Sequence, residues 1–253
     1  MMRSLLIALA FIVAAIPAHA ERLATAVSRN EVSITSSFDG ETLTLFGNIE
    51  PDIGSDTRVL DETYHIIIVV TGPLQNRVAR KKSNVLGIWI NTKQVTFESI
   101  PAYYQVVSDA RIADIIDPVT VGELGILPEQ LARTAARSGW WDSIVYGQEL
   151  VRLLMEEGLY GIKEQGVVFR SNTLYSAQIN LESNAPPGAY LAHTYLIKDG
   201  AVIAERTEGF SVRKSGFERF LGLAAVQQPL LYGISAVILA LFTGWLGGAV
   251  FRR

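Results

Sequence analysis

Residues 184–214, NAPPGAYLAHTYLIKDGAVIAERTEGFSVRK, decide the fold. Pro186-Pro187-Gly188 stops whatever precedes it, and Ala189 to Lys198 then runs without a glycine or proline, with Tyr and Leu among its residues. Lys198-Asp199-Gly200 turns the chain, and beyond it Phe210 and Val212 alternate with polar neighbours. An Asp-Gly step between two such runs predicts a β-hairpin closed by a tight turn.

Upstream the same grammar repeats. Val32 to Ile49 alternates apolar and polar residues on either side of Asp39-Gly40, which predicts a second hairpin. His65 to Val70, HIIIVV, is a continuous apolar run ended by Thr71-Gly72-Pro73, the pattern of a strand buried on both faces. VLGIWI and QVTFES read as two short strands around Asn91-Thr92, AYYQVVS as another, and VVFR and TLYSAQINL follow later. The period changes after Ser108. Arg111–Ile116 reads as a turn or two of helix, and Pro128–Arg137 starts on a proline suited to the first helical position. Ser143–Leu159 carries Ile144, Val145, Leu150, Val151, Leu154 and Met155 on one broad stripe, with Asp142 as a candidate N-cap and Gly158 near the stop. About nine short strands punctuated by turns predict an antiparallel β-sandwich of immunoglobulin-like type, with a helical insertion over roughly 109–163.

Both ends of the chain are apolar. Met1–Ala20, MMRSLLIALAFIVAAIPAHA, has Arg3, an apolar run, Pro17 and Ala18-His19-Ala20, the layout of a secretory signal peptide with an A-x-A cleavage site. Leu230–Phe251, LLYGISAVILALFTGWLGGAVF, carries no charge and is closed by Arg252 and Arg253. At about 1.5 Å per residue such a helix reaches roughly 33 Å, enough to cross a hydrocarbon core of about 30 Å. The expected layout is therefore a signal peptide (1–20), a periplasmic domain (21–214), a juxtamembrane linker (215–228), a transmembrane helix (229–251) and a cytoplasmic tail (252–253). Arg213, Lys214 and Arg219 on the outer flank run against the positive-inside bias, but a translocated domain follows its signal largely regardless of charge. The chain is thus expected in a bacterial inner membrane, single-pass, with its bulk in the periplasm.

Composition narrows the chemistry. Twenty-two Lys and Arg against 25 Asp and Glu give a net charge of −3, which is no footprint for nucleic acid. The absence of cysteine excludes disulfides and thiolate nucleophiles. H-E-x-x-H, G-x-S-x-G, P-loop and G-x-G-x-x-G spacings are missing, and His65 and His193 both fall in predicted strands. No catalytic residue, cofactor or metal site is therefore expected. Asp52, Asp56, Asp61 and Glu62 lack the order of a calcium loop and read as a solvated segment. Arg77, Arg80, Lys81 and Lys82 form a basic run suited to an anion or a lipid headgroup, or to a charged hairpin tip that discourages edge pairing. Tyr103, Tyr104, Tyr146 and Tyr160 read as core. Trp140 and Trp141 diverge as neighbours on one element, so both cannot point inward, and one is expected to face a partner or the membrane surface. Gly244, Gly247 and Gly248 offer a small-residue face for helix packing, in a homodimer or against a larger membrane protein.

These stretches together resemble a known family. ITSSFDGETLTLFG, GP followed by a basic run and GIWIN, PAYYQVVS, GLY, PPGAYLAHTYLIKDG and the SGFERF to LYG approach are similar to alphaproteobacterial transmembrane proteins of unknown function. The resemblance implies a signal peptide, an exported domain and one C-terminal span, and carries over no catalytic residue. It also implies a loose association with sulfite-exporter-type permeases. The leading expectation is a non-catalytic, membrane-anchored module that binds another protein, as an accessory to an inner-membrane transporter. The alternatives are a periplasmic domain for a small anion and an enzyme built on paired carboxylates.

Overall fold

The closing hairpin forms from β12 (Gly188–Lys198) and β13 (Ala201–Lys214), antiparallel, with Ala201 opposite Lys198. Its turn places Asp199 and Gly200 at φ of 50° and 80°, the left-handed pair that a two-residue hairpin needs. This is a computed structural model, and it describes residues 22–34, 39–50, 64–214 and 217–250. The expected signal peptide, the acidic residues Asp52, Asp56, Asp61 and Glu62, and the terminal Arg252 and Arg253 lie outside the described residues.

Around that hairpin the strands form three sheets among the described residues. The first pairs β1 (Arg22–Val27), β3 (Glu41–Glu50), β11 (Leu174–Leu181) and β10 (Val167–Phe169) in the order β1-β3-β11-β10, all antiparallel. The second runs β2-β13-β12-β4-β7-β9, adding β2 (Glu31–Ile34), β4 (His65–Thr71), β7 (Tyr104–Ser108) and β9 (Tyr160–Lys163). It is mixed, with parallel pairs β13–β2 and β7–β9 at its two ends. Register places Ile66, Ile68 and Val70 beside Leu196, Thr194 and Ala192 on one face, and Leu43, Leu45 and Ile49 share a face with Ile179 and Ala177 in the first sheet. These residues belong to one continuous buried core. The central strand β4 is buried on both faces, as its unbroken apolar run requires.

The chain is mainly β, as expected, but several local expectations need correction. Val32–Ile49 is not a hairpin: β2 pairs with β13 in one sheet and β3 with β1 and β11 in the other. Alternation reports a half-buried strand without naming its neighbour, and Asp39-Gly40 serves here as a crossing between layers. VLGIWI and QVTFES are not two strands around Asn91-Thr92. Ile88-Trp89-Ile90 and QVTFES belong to one long strand, β6 (Ile88–Pro101), antiparallel to β5 (Leu74–Val85), and VLGIWI itself spans the end of β5, a turn and the start of β6. The register shifts where Lys81 faces Lys93 and Lys82 faces Asn91, so Thr92 is the extra residue of a bulge and not a turn. The true turn is Leu86-Gly87, with φ of 53° and 84°. A third sheet, β5-β6-β8, adds the short β8 (Ala136–Arg137) at the base of this arm.

Helices occupy the chain between β7 and β9: α1 (Ile112–Ile115), α2 (Pro118–Leu124), α3 (Pro128–Ala135) and α4 (Trp140–Glu156). Asp117 caps α2 by accepting from the amides of Val119 and Thr120, an element the apolar pattern did not announce. Helix α4 starts at Trp140 with Gly139 as its N-cap, so Asp142 lies inside its first turn and is not the cap. Buried tyrosines tie layers together: the Tyr104 hydroxyl donates to Ile126 O at 3.1 Å, Tyr160 to Pro101 O at 2.6 Å, and Tyr103 to Asn180 O at 2.8 Å. After β13 the chain enters α5 (Phe217–Gln227) and then α6 (Pro229–Val250).

Candidate functional site

The β5–β6 arm and helix α4 face each other across a groove of about 950 Å³. One wall is basic, from Arg77, Arg80 and Lys81 of β5 and Lys93 of β6. The other wall is α4, with Trp141, Val145 and Leu153 on its apolar surface and Asp142, Glu149 and Glu157 along it. Leu150 and Leu154, both buried, join the groove to the core beneath. No salt bridge connects the two walls among the described residues. Opposite charges thus stand apart over an apolar bed, which suits a segment carrying both charge and apolar side chains.

Each wall follows from local sequence. Along β5 the side chains alternate, so Arg77, Ala79 and Lys81 share the face that carries Val95 and Phe97 of β6, whose buried side chains pin the arm's base. The Thr92 hydroxyl bonds Ser83 Oγ at 2.9 Å, holding the bulge that brings Lys93 onto that face. Helix α4 buries Tyr146, Leu150, Val151 and Leu154, which leaves Val145 and Leu153 turned outward. An apolar stripe wider than the core requires is what a docking face looks like.

One lining residue carries a polar atom, buried beneath the groove surface, that has no protein partner. Tyr146 is 8% exposed, and its hydroxyl is buried without a hydrogen bond, whereas the hydroxyls of Tyr103, Tyr104, Tyr160 and Tyr190 are all paired. Burial pushes those four phenols above their usual range, and for Tyr160 the positive charge of Arg77 pulls part of the way back. An unpaired buried hydroxyl is costly to the fold.

Of the residues singled out from sequence, the structure brings Arg77, Arg80, Lys81 and Trp141 to one groove. Lys82 is exposed and does not line it. Arg77–Lys82 lie in the body of β5 and not at a hairpin tip, which corrects that expectation. Trp140 and Trp141 are 64% and 73% exposed, so neither turns inward; their rings meet edge to face at 4.7 Å. Both sit in the first turn of α4, ahead of the point where the helix reaches the core. Lys93, Val145, Tyr146 and Leu153 were not singled out as site residues. Their signal, a cation beyond the turn and a helix stripe wider than one face, has meaning only once the two elements are opposed.

The two histidines stay apart. His65 Nδ1 meets Asp109 Oδ2 at 2.8 Å while Asp109 Oδ1 accepts from the Ile66 amide at 2.7 Å, and His193 Nδ1 meets Thr207 Oγ1 at 3.0 Å. Among the described residues there is no group of three or more His, Cys, Asp or Glu placed to hold a metal.

Helix α6 is long and apolar enough to cross a membrane over Pro229–Ala249, and none of it is buried against the rest of the chain. Gly244, Gly247 and Gly248 lie open on it, with no neighbouring atom within 4 Å of a side chain placed there. A profile for the family Alph_Pro_TM, described as "Putative transmembrane protein", matches residues 22–253 and so includes this helix. The chain belongs to the Alph_Pro_TM family. Comparison with curated proteins and with solved structures gave no match. Membership and the apolar helix together make this a membrane-anchored protein with one C-terminal span.

Proposed function

We propose that this Alph_Pro_TM protein is a non-catalytic, membrane-anchored module. Its periplasmic β domain binds a segment of another membrane protein in the groove between the β5–β6 arm and α4, as an accessory to an inner-membrane transporter of the sulfite-exporter type. The observation that carries the reading is the groove itself: a basic wall facing a wide apolar bed with Trp141. Buried aromatic anchors beside a polar rim are where binding energy concentrates in protein interfaces. The open glycine face of α6 supports a second contact with the same partner inside the bilayer.

The test is affinity purification of the full chain from gently solubilised membranes. A polytopic partner should be recovered with the native chain and lost with Trp141→Ala or Lys81→Glu. A chain that purifies as a lone monomer under every gentle condition contradicts the reading. A second reading, a small-anion site, is favoured by Arg77, Lys81 and Lys93 on one face of the arm. Thermal unfolding with sulfite, sulfate, thiosulfate and phosphate separates the two, because an ion that binds the folded state raises its stability by mass action.

A further inference from the structure

The arm does not end at the groove. Beyond the bulge at Thr92 it continues as a bare two-stranded ribbon to Leu86 and Gly87. Its last residues are apolar and exposed: Leu86 at 99%, Trp89 at 67% and Ile88 at 66%, with Val85 and Ile90 also exposed. Leu86 is doubly out of place. A turn of this kind favours Asn, Asp or Gly where φ is positive, and a leucine at φ 53° is strained as well as exposed. Behind the tip stand Lys81, Lys82 and Lys93, and no acidic residue occurs from Leu74 to Phe97.

We infer that this tip inserts into the anionic lipid surface of the bilayer in which α6 is anchored. Three features choose a bilayer over a protein. Pairing of Val85 with Ile88 and of Ser83 with Ile90 puts these on one face of the ribbon, whereas Trp89 pairs with Asn84 on the other. A protein surface covers one face of a ribbon; end-on insertion covers both. The dimensions also fit. At about 3.3 Å per residue the apolar cap from Leu86 back to Ile90 is roughly 10 Å deep, the depth to which amphipathic elements sink into the headgroup and acyl boundary. The next residues back, Lys82 and then Lys81 opposite Lys93, come at the level of the phosphates. The charge matches too, since a ribbon with only cations behind its tip is drawn to anionic lipid and not to zwitterionic lipid. Because α6 already holds the chain at the membrane, the tip needs only a weak affinity of its own.

The chain has no cysteine, so one introduced thiol takes one label. Leu86→Cys, and Ser171→Cys on the exposed β10–β11 connection as a control, are labelled with an environment-sensitive fluorophore. The full chain is then placed in nanodiscs of phosphatidylcholine with or without phosphatidylglycerol. With anionic lipid, the label at position 86 should shift to the blue and be quenched by nitroxide lipids, and the label at 171 should do neither. Lys82→Gln, at a position that does not line the groove, should lower the inserted fraction relative to the free one by about fivefold. Leu86→Asn, labelled at Trp89→Cys, relaxes the turn and should lose quenching while keeping or raising the melting temperature, which a purely structural role for Leu86 does not produce. The inference is overturned if the label at 86 is as open to aqueous iodide as that at 171 in both lipid mixtures. It is equally overturned if protection appears only in lipid-free detergent with a co-purified protein, which would assign the tip to that protein. Neither result bears on the groove, whose partner is tested by Trp141→Ala.

Discussion

Two tyrosines of similar burial should respond to the same substitution with opposite sign. Tyr160 is 2% exposed and its hydroxyl donates to Pro101 O at 2.6 Å, at the root of the arm; Tyr146 is 8% exposed and its hydroxyl has no partner. Tyr160→Phe removes a good hydrogen bond and leaves a carbonyl without this donor, a loss of about 1–3 kcal/mol. Tyr146→Phe removes an unsatisfied group and a desolvation penalty, so it should be neutral or stabilise by up to about 1 kcal/mol. For a domain of this size, where 1 kcal/mol corresponds to roughly 2–4 °C, Tyr160→Phe should melt about 2–12 °C lower and Tyr146→Phe no lower than the native chain. Intrinsic fluorescence or calorimetric melts of the full chain in nanodiscs measure both. If Tyr146→Phe destabilises as much as Tyr160→Phe, the Tyr146 hydroxyl is already satisfied inside the fold, and the contrast drawn between the two tyrosines fails.

Three further outcomes follow from the same structure. Gly47→Ala would place a methyl carbon 2.0 Å from the Tyr175 hydroxyl oxygen and 2.2 Å from its ring, so it should destabilise by more than the roughly 1–3 kcal/mol usual for overpacking, with Tyr175→Leu restoring part of the loss in denaturant titration. Burial raises the folded-state pKa of Tyr103, Tyr104, Tyr160 and Tyr190, so each favours the fold while protonated; stability should be level up to about pH 10 and fall above it, and absorbance at alkaline pH should show these phenols ionising only on unfolding. Protease added outside spheroplasts should cut the exposed β10–β11 connection at Arg170 while leaving α6 in the membrane, and a connection that stays intact there places the domain on the other side.

What was legible in the sequence were features that depend on near neighbours. The unbroken HIIIVV run forecast a strand buried on both faces, Asp199-Gly200 forecast its turn, and Leu230–Phe251 forecast the span. Features that depend on distant partners were not. Val32–Ile34 alternates as an edge strand does, yet nothing local says that its neighbour is β13, nearly the whole chain away. The basic run was visible, but its place in a groove depends on the bulge at Thr92 and on α4 arriving opposite. Leu86-Gly87 does not announce itself as a turn, because leucine is a poor residue for φ above zero.

The claim that most needs testing is that the groove beside Trp141 holds a membrane partner. A photo-crosslinking amino acid at position 141, with one at position 171 as a control that is also exposed, measures this in native membranes. The account predicts one discrete adduct with a polytopic protein from position 141, absent from position 171 and lost with Arg77→Glu and Lys81→Glu. An identical crosslinking pattern from both positions, unchanged by those substitutions, contradicts it.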